Sequence, residues 1–227
     1  MFFSKITFRS PKDAAKTLHD EYRVHQLIWE IASSGPEQER SFLYRQVAGG
    51  IPTFYILSIN SITEKHPLFT IESKRFEPVI TAGDCFQFSV RVNPIVAKYH
   101  EVVPLAGSKK TRSTRHDVVM NEKFIRRAQG VECSSMQDII STSISRWIEA
   151  RAERNGFSIR ADSLLFSEYT QRRFFKRRTS HAVALSTVDI SGVLQVVDSD
   201  KFLFCLKNGL GPAKGFGCGL MLIRPVT

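Results

Sequence analysis

Apolar and polar positions alternate from Phe2 to Arg9, the period of a half-buried strand. Ser10-Pro11-Lys12-Asp13 then supplies an N-cap candidate, a proline at the first helical position and an acid at the third, so a helix is predicted to start there. Leu18, Tyr22, His25, Trp29 and Ala32 recur at spacings of four, three, four and three, the stripe by which a helix faces a core. Ser34-Gly35-Pro36 ends the stripe, which predicts one helix over Pro11 to Ser33. Two β-rich runs, Ser41 to Val47 and Thr53 to Ile59, flank Ala48-Gly49-Gly50-Ile51-Pro52 and read as a hairpin. Ser61 to Thr70 has no clear period, and Gly83 to Val92 alternates again, which would close a first unit in the order β-α-β-β-(α)-β.

The pattern dissolves from Ala97 to Arg115, where Gly107 to Arg115 holds four basic residues, no acid and no apolar anchor. A basic flexible linker is expected over 99–115. Beyond it the order repeats: a short strand at Asp117 to Met120, a helix from Met136 to Arg154 stopped by Asn155-Gly156, and strands at Ser158 to Phe166 and Ala182 to Val197, the last with a turn at Ser191-Gly192. A helix at Asp200 to Asn208 and a strand at Phe216 to Ile223 complete it. The fold class predicted is α+β, two tandem ferredoxin-like (RRM-like) βαββαβ domains over 1–98 and 116–227. Each would bury two helices on one sheet face, leaving the opposite faces to meet each other or an RNA.

Composition sharpens this picture. With 42% hydrophobic residues and 17 Phe among 227 residues, the chain can bury a core and is not disordered by composition. Its 32 Lys and Arg against 22 Asp and Glu leave a net charge of +10, which favours a polyanionic partner. Cys85, Cys133, Cys205 and Cys218 form no CxxC pair, so neither a zinc ribbon nor a disulfide framework is suggested. Lys5 and Arg9 interrupt the apolar opening, and no run approaches the roughly 18 apolar residues of a membrane span. A soluble cytoplasmic protein is expected.

Three constellations carry candidate chemistry. Gln171 to Arg178 packs Arg172, Arg173, Lys176, Arg177 and Arg178 around the adjacent Phe174 and Phe175, between two predicted strands. It reads as a basic hairpin that clamps phosphate, or as a solvated charge run. Gly209 to Gly219 holds five glycines in eleven residues and satisfies neither the dinucleotide fingerprint nor the P-loop pattern. There the bare backbone at Gly211 and Gly215, with Lys214, can approach phosphate closely, or the glycines serve packing. Tyr22 and His25 are neighbours on one helix face, as a catalytic pair or as core residues. Asp198-Ser199-Asp200 has the look of a metal-binding DxD but precedes a helix, where capping explains it; no metal site and no cofactor is expected.

Gly209-Leu210-Gly211-Pro212-Ala213-Lys214 followed by Gly217-Cys218-Gly219-Leu220 resembles the signature of the CasE (Cse3) family of CRISPR precursor-RNA endoribonucleases of type I-E Cascade. Met1 to Lys5, Tyr22-Arg23-Val24-His25-Gln26 with Trp29, and Arg91-Val92-Asn93-Pro94-Ile95 are similar to further family segments in the same order. The resemblance implies two ferredoxin-like domains and a free monomer. It implies binding of the CRISPR repeat RNA stem-loop and a metal-independent cut on its 3′ side, giving a 2′,3′-cyclic or 3′ phosphate and a 5′ hydroxyl. Retention of the product with other Cascade subunits follows from it too. His25 takes the catalytic histidine's place and Tyr22 that of the assisting tyrosine. The segment Arg172 to Arg178 takes the place of the hairpin at the RNA stem, and the loop with Lys214 lies near the RNA path. Two alternatives remain: a non-catalytic RNA-hairpin-binding subunit of a ribonucleoprotein, and a DNA-binding protein, which explains the charge but not Tyr22 with His25.

Overall fold

The computed structural model describes residues 1–18, 21–33, 41–47, 50–62, 66–102, 110–131, 135–175 and 182–226. Strands β1 (Phe2–Phe8), β2 (Phe42–Val47), β3 (Thr53–Ser58) and β4 (Phe69–Arg75) form an antiparallel sheet in the order β2-β3-β1-β4. The expected helix is described as α1 (Pro11–Leu18) and α2 (Glu21–Ala32); residues 19 and 20 between them and the Ser34-Gly35-Pro36 stop lie outside the described residues. Both helices lie on one sheet face. Ala14, Val24 and Ile28 pack there onto Ile6, Phe8, Phe42, Phe54, Ile56 and Phe69, the inward alternate positions of the four strands.

A second antiparallel sheet contains β5 (Cys85–Val92), β8 (Phe157–Ile159), β9 (Leu165–Phe175), β10 (Ala182–Val196) and β11 (Met221–Pro225). Its order is β11-β5-β10-β8, and β9 pairs with the first part of β10. Helices α4 (Met136–Ala152) and α5 (Ser199–Asn208) cover its inner face, with Ile144, Trp147, Ile148 and Phe202 packed against Phe88, Val90, Ile190 and Leu194. Both sheets have the ferredoxin-like antiparallel arrangement, as expected.

Four expectations are corrected. Gly83 to Val92 does not close the first unit: β5 is a central strand of the second sheet, and β4, in the stretch of unclear period, is the first sheet's edge. Alternation fixes which side chains of a strand face a core but not which strand it pairs with. Edge strand β4 buries only Phe69, so it left little pattern to read. Second, the expected linker is a ribbon of β6 (Ile95–Val102) and β7 (Lys110–Asp117), with 103–109 outside the described residues. Backbone pairing needs no apolar anchor, which is why charge alone misread it.

Third, Asp117 to Met120 is no strand. The Asp117 carboxylate accepts the Met120 N–H at 2.8 Å and caps α3 (Val118–Ala128). That carboxylate also accepts the Tyr169 hydroxyl at 3.0 Å, and burial together with its charge raises the Tyr169 phenol above its usual range. Fourth, β10 runs straight through Ser191-Gly192, paired to Leu165 on one side and Phe88 on the other. Gly192 is bare because Ser163 Oγ would stand 3.1 Å from a Cβ there. Asp198 caps α5 through the Lys201 N–H at 3.0 Å, as its place before a helix predicts.

The open faces of the two sheets meet each other. Leu43 and Leu57, with Phe3 and Tyr55 beside them, pack on Leu220 and Leu222. Among the described residues no helix is long and apolar enough to cross a membrane.

Candidate active site

His25 stands on the outer part of α2, half-buried, one residue from the core position Val24. Its ring stacks on Phe216 with centroids 5.6 Å apart and planes 28° apart, and leans on Trp29 at 5.8 Å. Trp29 is fixed in turn by an edge contact with Phe42 at 5.5 Å. Nδ1 of His25 is buried. An imidazole of the first unit is thus held by an aromatic ring of the second, far along the chain.

The glycine-rich segment is built to deliver that ring. The Leu210 N–H donates to the Gly219 carbonyl at 2.9 Å, and the Gly219 N–H to the Arg91 carbonyl at 2.7 Å, so the loop closes on itself and is hooked to β5. Lys214–Phe216 forms a single 3-10 turn lying on β2, where the Tyr44 hydroxyl donates to the Gly215 carbonyl at 3.0 Å. Gly217, at φ 75°, crosses the Tyr44 ring so closely that a Cβ would stand 3.2 Å from Cε2. Only glycine combines that backbone with that approach.

The sequence-predicted residues therefore separate. Gly215 and Lys214 lie in the turn beside His25, whereas Gly211 lies against Trp147, 3.1 Å from where its Cβ would be. The Lys214 stem runs along Gly219, and its ammonium is near enough to Cys205 to oppose the burial that pushes this thiol up to about 12. Arg172 and Arg173 are exposed on β9 at its pairing with Leu185 and Ala184. The strands of the expected basic hairpin are present; Lys176, Arg177 and Arg178, and the side chains of Phe174 and Phe175, lie outside the described residues. So does the side chain of Tyr22, whose backbone is in α2.

Sequence reading missed an ion cluster that joins the sheets. Arg91 of β5 donates to both carboxylate oxygens of Asp189 of β10, at 2.7 and 2.8 Å. Arg45 of β2 reaches the same carboxylate at 3.5 Å and donates to Ser89 Oγ at 2.7 Å. The Arg45 side chain is only 8% exposed. The signal was there: Arg45 directly follows the apolar run Phe42-Leu43-Tyr44 of a predicted strand.

Beside this cluster opens a cleft of about 240 Å³. Val24 of α2, Tyr44 and Gln46 of β2, Arg91 of β5, and Thr170, Arg172, Leu185 and Thr187 of the β9–β10 pair line it. Phe216, which stacks on His25, lines it as well. Among the described residues no three of His, Cys, Asp and Glu come together as metal ligands would.

The sequence profile described as CRISPR associated protein matches residues 1–225. The chain belongs to the CRISPR-associated protein family. Over its full length it is 22% identical to the whole of the CRISPR system Cascade subunit CasE of Escherichia coli. It is also 22% identical, over 99% of its length, to the whole of the CRISPR-associated endoribonuclease Cse3 of Thermus thermophilus. The fold matches a solved structure of CRISPR endoribonuclease Cse3 bound to 19 nt RNA with a TM-score of 0.68 at 21% identity, over 99% of this chain and all of that one. The CasE resemblance carried by the glycine signature is borne out across the CRISPR-associated chain.

Proposed function

We propose that this CRISPR-associated protein is a metal-independent endoribonuclease. In this reading it binds the repeat stem-loop of CRISPR precursor RNA, cuts on the 3′ side of the stem, and keeps the mature guide as a Cascade subunit in the cytoplasm. The observation that carries the reading is the stack of His25 on Phe216 of the glycine turn, a ring that lines the same cleft as Arg172 of β9. The names of relatives as a Cascade subunit and an endoribonuclease support the class of activity.

RNA carries its own nucleophile. The ribose 2′-oxygen attacks phosphorus, the bond from phosphorus to the 5′-oxygen breaks, and one proton leaves the 2′-hydroxyl while another reaches the departing oxygen. The products are a 2′,3′-cyclic phosphate and a 5′ hydroxyl. Histidine titrates near neutrality, so His25 moves one of these protons, and Tyr22 assists. Lys214 and the arginines of β9 supply positive charge for the phosphorane and the flanking phosphates.

One gel tests this. The protein incubated with a repeat-derived hairpin in EDTA is expected to give a single cut, abolished by a 2′-deoxy nucleotide on the 5′ side of the scissile phosphate. A mobility shift without a cut would mean a binding subunit instead.

The hairpin's part is separable by salt. Each phosphate contact contributes about 0.7 to 0.9 to the slope of log affinity against log salt. Arg172→Ala with Arg173→Ala is expected to weaken RNA binding and to flatten that slope by about one to two units in filter-binding titrations. An unchanged slope would remove both residues from the interface.

A further inference from the structure

One edge of the second sheet differs in chemistry from the rest of this basic molecule. β8 ends the strand order there, and no described strand pairs along its outer side. The Arg160 N–H donates to the Val193 carbonyl at 3.0 Å and the Val197 N–H to the Gly156 carbonyl at 2.8 Å, so Gly156, Ser158 and Arg160 turn their backbone groups toward β10. Backbone groups of successive residues point to opposite edges of a strand, so those of Phe157 and Ile159 face outward. Between this edge and the end of α4 lies a trough of about 290 Å³, lined by the buried Ala152 and Phe157 and by the more open Ile159 and Val197, the latter 62% exposed. Glu149 and Glu153, both exposed and one helical turn apart, stand in its lining on the α4 side. Like charges at that spacing repel, and cations beside them in the sequence are engaged elsewhere, Arg146 with Glu122 and Arg151 over Trp147. Among the described residues neither carboxylate has an ion-pair partner, in a chain whose net charge is +10.

We infer that this edge is a docking site for an extended segment of a partner protein in which apolar residues alternate with Lys or Arg. Such a segment adds a strand to β8 through the outward groups of Phe157 and Ile159, a mode in which backbone bonds give affinity and alternate side chains give specificity. Its apolar side chains enter the trough against Ile159 and Val197, and its cations meet Glu149 and Glu153. The three residues of β8 are too few to hold a strand on backbone bonds alone, so the trough and the carboxylates decide which segment stays. Two unpaired carboxylates repel a polyanion, so the edge takes no part in holding RNA. This inference does not rest on the proposed function.

The probe is a short capped peptide of alternating valine and lysine, titrated against the full chain by fluorescence anisotropy. It is expected to bind, to slow hydrogen exchange of the Phe157 and Ile159 amides by at least about tenfold, and to leave the Ser158 amide, which already faces β10, as it was. Glu149→Lys with Glu153→Lys changes only exposed side chains and leaves the fold intact. That double variant, and a valine-glutamate peptide on wild-type protein, are each expected to lose at least about tenfold in affinity. The site is overturned if the valine-lysine peptide does not bind, or if it binds the folded double variant as tightly as wild type. Exchange slowed elsewhere but not at Phe157 and Ile159 overturns it as well. Displacement of the peptide by a repeat-derived RNA hairpin would assign the edge to RNA, and dimers that the double variant abolishes would make a second copy its occupant; either result overturns the partner proposed.

Discussion

His25→Ala is expected to lose RNA cleavage by about 10²- to 10⁴-fold while binding the repeat hairpin within about twofold of wild type. The magnitude is the usual contribution of a positioned general acid or base. Binding is expected to survive because the proposed phosphate contacts are made by cationic side chains, Arg172, Arg173 and Lys214, and not by the imidazole. Single-turnover cleavage and filter binding read the two quantities separately. The substitution also removes a ring from the stack between Trp29 and Phe216, so thermal melting must accompany it. A protein that melts near wild type yet has lost the cut has lost chemistry; one that still cuts within about tenfold of wild type reassigns the catalyst.

The second large effect is expected at Asp189. Asp189→Asn removes the carboxylate that Arg91 meets at 2.7 Å and Arg45 at 3.5 Å, the Arg45 guanidinium being nearly sealed from solvent. Breaking a buried ion pair from one side costs about 3 to 5 kcal/mol, and the partial exposure of Arg91 places this one at about 3 kcal/mol. For a chain of this size that is a fall in Tm of about 6 to 12 °C. Arg45→Gln combined with Asp189→Asn should be less destabilising than the sum of the two single changes, since each then relieves the other. Strict additivity in the melting data would mean the two residues do not act together. Arg45 belongs to the first sheet and Asp189 to the second, so the same lesion loosens the junction over which Phe216 reaches His25.

Much of the fold was legible in the chain because its signals are local. The proline start of α1, the Asp198 cap of α5, the stop of α4 before Gly156 and the inward alternation of β1, β3 and β5 all depend on neighbours within a few residues. The same locality explains the failures. Asp117 has the chemistry of a cap, but the short apolar run after it reads equally well as strand, and only packing of Val118 and Val119 into the second core decides for helix. The candidate site was half legible. His25 and the glycine turn could be singled out by type and resemblance, while Gln46, Thr170 and Thr187 carry no mark in the sequence.

The sequence by itself determined which residues can carry charge, protons and tight turns, and which positions of each element face inward, because those properties follow from side-chain chemistry and from periods of two and about 3.6 residues. The tertiary structure decided that β5 joins the second sheet, that the open sheet faces close on each other, and that Arg45, Arg91 and Asp189 share one ion cluster. It also decided that Phe216 covers His25. Strand pairing and side-chain contact between segments distant along the chain depend on how whole layers pack, and no local period encodes that.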